Sequence, residues 1–140
     1  MKSFKLSLLA FLMTITFGAF SQTNSGKVYL IRFTGSTGSM VNYSIFVDGK
    51  LICKLKNKSF SIHNLSVGEH NVSVVGGGLS NGKKSPPLTF TVAENKTNYI
   101  TVASTQNGYA NKITCQEITE NSATPILAKA KENTNCLSKE

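Results

Sequence analysis

The chain has 140 residues, a formal net charge of +8, three cysteines and 40% hydrophobic residues. That is enough to bury one core and too little for two independent ones, so a single domain is expected. A basic surface favours acidic partners without naming any.

Residues 1–21 carry Lys2 and Lys5, an apolar stretch from Leu6 to Phe20, and small residues Ala19 and Ser21 before a cleavage point. This pattern predicts a signal peptide cleaved after Ser21. A membrane-spanning anchor fits less well: the stretch falls short of the ~20 apolar residues a spanning helix needs and is interrupted by Ser7, Thr14, Thr16 and Gly18. The first cysteine is Cys53, so no lipid-bearing cysteine follows the leader. The expected product is exported to the periplasm or the extracellular space, with no stable membrane anchor.

From Lys27 the chain alternates with a period of two, the signature of strands with distinct faces. Between Lys27 and Phe33, Tyr29, Ile31 and Phe33 share one side and Val28, Leu30 and Arg32 the other, so both faces should be largely covered. Gly35 to Ser39 is flexible by composition and reads as a connection. Asp48-Gly49 suits a two-residue hairpin whose central residues need positive φ. It would join a strand with Tyr43, Ile45 and Val47 inward to one with Leu51, Cys53 and Leu55 inward. Asn57-Lys58 makes the next turn, and Phe60 and Ile62 should face inward. Leu65 to His70, with Gly68 at the bend, leads into Val72 and Val74. Gly76 to Gly78 ends that strand, and Pro86-Pro87 marks an exposed loop.

Leu88, Phe90 and Val92 alternate with threonines, Glu94 to Lys96 turns, and Ile100 and Val102 follow, which predicts a further hairpin. A last strand from Tyr109 to Ile118 would put Tyr109, Ile113 and Cys115 on one face. The fold class expected is all-β, a two-sheet antiparallel sandwich of seven to eight strands over residues 27–118. Residues 119–140 form a polar tail. Thr124-Pro125 resembles a helix start with proline at the first helical position, and the end from Asn133 is expected to be mobile.

The stretches Val47 to Lys50, Leu65 to Val74 and Val92 to Ile100 together resemble a small exported bacterial β-sandwich family of unknown function. That family is similar to PEGA-type and other prealbumin-like envelope domains. The resemblance covers roughly residues 27–102. It implies a sandwich fold and an envelope compartment and no activity. Gly68 matches a turn glycine of the pattern, and Asn95 stands where a turn glycine is common.

Few residues suggest chemistry. Three cysteines in an oxidising compartment leave one unpaired within the monomer. Cys53 and Cys115 fall on inward faces and Cys136 in the tail. A bond between Cys115 and Cys136 would tie down the chain end, with Cys53 free or an alternative partner. No cofactor and no metal site are expected, since no two cysteines or histidines have chelating separation. His63 and His70 flank one turn, and a hairpin there would bring them together. A small hydrolase would need both in one pocket with Asp48 or Glu69. Asp48 and Gly49 are better explained by their turn, and no catalytic residue is assigned.

Lys54, Lys56, Lys58, Lys83 and Lys84 form a candidate anion-binding face. The preferred reading of these lysines is that they block aggregation along a strand edge. Sparse outward aromatics and export argue against nucleic acid. The function expected is a non-catalytic binding module for an envelope protein or surface polymer, with an electrostatic binder of anionic polymer as the second reading.

Overall fold

A computed structural model describes residues 24–36, 38–77, 82–107 and 110–136. The leader reading and Tyr109 lie outside these residues. The fold is an all-β sandwich of two sheets. In chain order the strands are β1 (Ser25–Arg32), β2 (Tyr43–Val47), β3 (Lys50–Leu55), β4 (Ser59–Ser66), β5 (Gly68–Val75), β6 (Leu88–Val92), β7 (Thr97–Asn107), β8 (Ala110–Ile118) and β9 (Lys131–Glu132). One helix, α1 (Glu120–Leu127), lies between β8 and β9. The five-stranded sheet runs β8-β7-β1-β4-β9 and the four-stranded sheet β3-β2-β5-β6. Val28 and Leu30 of β1 face Ile45, Val72, Val74 and Val92 of the opposite sheet in one buried cluster.

Most neighbouring strands are antiparallel, but β1 pairs with β7 in parallel, as β4 does with β9. Two expected hairpins are instead corners between sheets. β4 lies in the five-stranded sheet and β5 in the four-stranded one, with Val67 alone between them. The turn at Glu94 to Lys96 likewise carries the chain from β6 across to β7. Turn residues that reverse a chain within a sheet also suit a change of sheet, so alternation does not separate the two. Asn95 takes the left-handed conformation there, φ +56. This is the region asparagine tolerates best after glycine.

Asp48 and Gly49 take φ of +50 and +80, and the β2–β3 hairpin forms on them. The register of that hairpin shifts between Ile45 and Phe46, so Ile45 faces Cys53 while Phe46 faces Leu51. Ile52 is the extra residue of a bulge. Consequently Leu51 pairs with outward-facing Phe46, and Ile52 packs against the core in its place. Phe60 and Ile62 also face outward: they flank Tyr29 across β1, while Ser61 sits opposite buried Leu30.

At the end of β1 the guanidinium of Arg32 is fully buried without an acidic partner. It donates to the carbonyls of Gly38, Val41 and Leu55 at 2.6–2.7 Å. The Tyr43 ring lies 3.5 Å from Arg32 Cζ. Burial pulls the pKa below its ordinary value, with Tyr43 opposing, yet arginine stays charged in proteins. Three carbonyl dipoles and a ring quadrupole therefore replace the lost water. The loop that composition marks as flexible is thereby fixed, and Asn57 binds its other end through Thr34 N and Gly35 O.

The chain leaves the five-stranded sheet at one edge, β8, and rejoins it at the other, β9, about 19 Å away at ordinary strand spacing. The inner face is filled by the second sheet, so residues 119–130 cross the outer face. Ile31 there and Ala123 of α1 are both fully buried. Tyr29 stacks between Tyr99 and Phe60 on the same face, with centroids 5.0 and 5.9 Å away. The helix begins earlier than Thr124: Thr119 is the N-cap, accepting from Ser122 N, and Pro125 lies inside. Thr124 bonds back to the Glu120 carbonyl. An eight-residue helix is marginal alone and depends on this docking.

The disulfide joins Cys53 to Cys136, with Cα atoms 4.5 Å apart, and Cys115 is a free thiol in the core. This corrects the Cys115–Cys136 pairing. Cys115 lies on β8, which packs over β5 and β6, whereas β9 brings the chain end beside β4, next to β3. Nor is the segment 133–136 loose, because Asn133 binds Phe60 O through its backbone and Lys54 O through its side chain.

Two variants test these constraints. Arg32→Met leaves three carbonyls without a donor and is expected to cost roughly 3 kcal/mol or more in urea unfolding. Cys136→Ser opens a loop spanning 83 residues and is expected to cost about 4.5 kcal/mol on the chain-entropy account. Non-reducing peptide mapping should recover the peptides of Cys53 and Cys136 linked.

Candidate functional site

The most ordered polar cluster lies at the β2–β3 hairpin. His70 on β5 is 8% exposed. Its Nδ1 lies 2.7 Å from Asp48 Oδ2 and its Nε2 2.8 Å from the Ser66 carbonyl. With Asp48 ionised neither acceptor carries a proton, so the arrangement favours the imidazolium form, in which both ring nitrogens donate. Burial pulls the His70 pKa down, but the bonds to Asp48 and Ser66 and the charge of Asp48 outweigh it, and the net shift is upward. Burial pushes Asp48 up, while the Asn71 backbone bond, His70 and Lys50 outweigh it and hold the carboxyl below its ordinary value. Asp48 Oδ1 accepts from Asn71 N at 2.9 Å, and Asp48 N donates to Asn71 O. The carboxylate thus clamps a turn to its neighbouring strand.

This geometry resembles part of an acid–base dyad but lacks its essential feature. A general base needs a free lone pair, and His70 has none in this arrangement. His63 does not join it, because the Leu65 to Gly68 turn is a corner and the two histidines belong to different sheets. His63 Nε2 lies 2.9 Å from Ser61 Oγ, and burial lowers its pKa. Cys115 is equally withdrawn: burial pushes its thiol up to about 11, against a weaker opposing bond from Ser85. Among the described residues no three His, Cys, Asp or Glu side chains gather to hold a metal ion.

A different constellation lies where the sandwich sides meet β9. The segment after β9 runs between two grooves. One, about 530 Å³, is lined by Ile62, His63 and residues 132–136. The other, about 370 Å³, is lined by Lys54 of β3 and Lys56 just beyond it, Lys131 and Glu132 of β9, Ser59, Asn42, Asn133 and Asn135. Three lysines against one glutamate leave a formal excess of two positive charges in the second groove. The three lysines are exposed, and among the described residues the one ion pair is that of His70 with Asp48.

The candidate anion face is therefore divided. Lys54 and Lys56 line the groove, and Lys58 lies beside it at φ +55, its carbonyl accepting from Lys131 N. Lys84 is elsewhere, its ammonium 4.1 Å above the Phe46 ring, and Lys83 is exposed in the same loop. Sequence reasoning missed Lys131, Asn133 and Asn135. A two-residue strand has no periodicity, and β9 pairing, the Asn133 bonds and the disulfide together bring this part of the tail to the groove.

The His70–Asp48 pair predicts a pH signature. A raised histidine pKa contributes stability fully below the unfolded value near 6.5 and loses it as pH rises through the folded one. A depressed carboxylate contributes above 3.8 and loses it as pH falls through its folded value. Both act together between about 3.8 and 6.5. His70→Gln is therefore expected to lower thermal stability more at pH 5 than at pH 9, and NMR titration should place His70 above His63.

Comparison with known proteins finds no family, no curated protein and no solved structure that matches this chain. No described helix is long and apolar enough to cross a membrane.

Proposed function

We propose that the chain is exported and acts as a non-catalytic binding module of the cell envelope, holding a surface polymer or a protein partner. One observation carries this reading. The Cys53–Cys136 disulfide, which belongs to an oxidising compartment, helps to fix a groove in which three lysines outnumber one glutamate and form no ion pair with it. Uncompensated charge in a fixed concavity favours an oppositely charged ligand. The commitment of both His70 nitrogens to structural acceptors supports a binding role over hydrolysis. The likeness to PEGA-type envelope domains agrees with this placement. Its Val47 to Lys50 turn and Gly68 lie at a hairpin and a corner, positions that serve the fold.

The test is affinity capture from native envelope extract with the tagged protein, washed at low and then moderate salt. Retention of one protein or one polymer species is expected. Loss of all bound material at both salt concentrations would overturn the reading, and hydrolysis of an envelope component by the purified protein would replace it with the enzymatic one.

A further inference from the structure

From the composition of the second groove we infer that its ligand is an acidic polysaccharide, held at carboxylate or other anionic substituents by Lys54, Lys56 and Lys131. The inference rests on the binding-module reading and names the ligand class. Strands from different sheets contribute Lys54 and Lys131, and the connection after β3 contributes Lys56. Lys54 on β3 and Lys56 just after its end both line the groove and are exposed, and β9 supplies Lys131. The chain has fourteen lysines and one arginine, Arg32, which is buried. The surface cations are therefore all ammonium groups. These act as compact point charges without the planar fork that selects one anion geometry, which suits anionic substituents spaced along a flexible polymer.

The remaining lining distinguishes sugar from other polyanions. Asn42 and Asn135 offer side-chain amides, each with two donors and one acceptor, and their amides make no bond to another described side chain or backbone group. Hydroxyl groups need this mixture of donors and acceptors, and phosphate oxygens need donors alone. No apolar side chain lines the groove, so it holds no seat for an acyl chain or an apolar peptide anchor. Stacking partners for nucleobases are missing from it as well. Asn133 serves as scaffold: its amide donates to Lys54 O and its oxygen accepts from Asn135 N. The chain segment that carries Lys131, Asn133 and Asn135 is anchored by Cys136 together with β9 and the Asn133 bonds, so reduction is expected to loosen the site.

The test measures binding of a labelled oligogalacturonate to the oxidised protein, with a neutral oligosaccharide of equal length and inorganic polyphosphate as comparators. Oligogalacturonate is expected to bind, more weakly as salt rises. The triple variant Lys54→Gln, Lys56→Gln, Lys131→Gln should weaken it by about tenfold or more. Lys83→Gln with Lys84→Gln should leave it unchanged, and Cys136→Ser should weaken it while one-dimensional NMR still shows dispersed amides. Equal binding of polyphosphate, or equal loss in the Lys83, Lys84 variant, would overturn the inference. So would equal binding of the neutral oligosaccharide. If oligogalacturonate does not bind while envelope capture retains one protein through both washes, the ligand class is wrong and the binding-module reading stands; an empty capture column would overturn both.

Discussion

A single buried cation determines how this sandwich closes at one end. Burying a guanidinium without a carboxylate is tolerable only if enough dipoles meet it, and Arg32 collects three carbonyls and a tyrosine face. These carbonyls come from the loop after β1 and from the end of β3, so the same contact fixes the crossing between sheets and the edge of the four-stranded sheet. Leu55 binds Arg32 through its carbonyl and the core through its side chain. Two residues earlier Cys53 begins the disulfide. The end of the lysine-bearing strand is thus held by a charge that is itself fully buried.

The opposite face of β1 depends on a different device. A five-stranded sheet with an outward aromatic row needs cover, and the chain supplies it by sending α1 across the row before returning to β4. The Tyr99 hydroxyl reaches Glu120 in the first helical turn; burial and then the glutamate charge raise its pKa. The helix is too short to stand alone, so its docking, the two-residue strand β9 and the disulfide form one unit. Each part is weak in isolation. Together they deliver Lys131 and Asn135 to a position that neither propensity nor pattern would choose.

Much of the fold was legible because alternation and turn chemistry are local. Val28 with Leu30, Ile45 with Val47, and Val72 with Val74 fall on the inward faces that period two assigns them, and Asp48-Gly49 makes its hairpin. Leu51 was misassigned because a bulge inserts one residue, and a single insertion exchanges the faces beyond it. The partners of β4 and β7 were hidden because a corner and a hairpin share their turn residues. The disulfide was hidden because pairing follows strand neighbours, which the linear order of Cys53, Cys115 and Cys136 does not encode. Thr124-Pro125 obscured a helix start at Thr119, since proline is also tolerated where docking supports the turn around it. Of the candidate site, Lys54 and Lys56 were visible as an outward pair, while the tail residues were beyond any local signal.

Edge protection alone does not account for the lysine groove. β3 is an edge strand, and lysines on its outer face are a sufficient defence against pairing with another chain. But the chain already covers part of that edge, where the Asn133 amide occupies the Lys54 carbonyl and Cys136 is bonded to Cys53. A third lysine brought from the other sheet adds like-charge repulsion without protecting any further hydrogen-bonding group of β3. Glu132 offsets one charge of the three, and no ion pair forms with it. The repulsion is modest while the ammonium groups remain hydrated, and it is relieved when an anion enters. On the proposed reading, an anionic ligand would engage these three charges, and the disulfide would help to hold the segment that presents one of them.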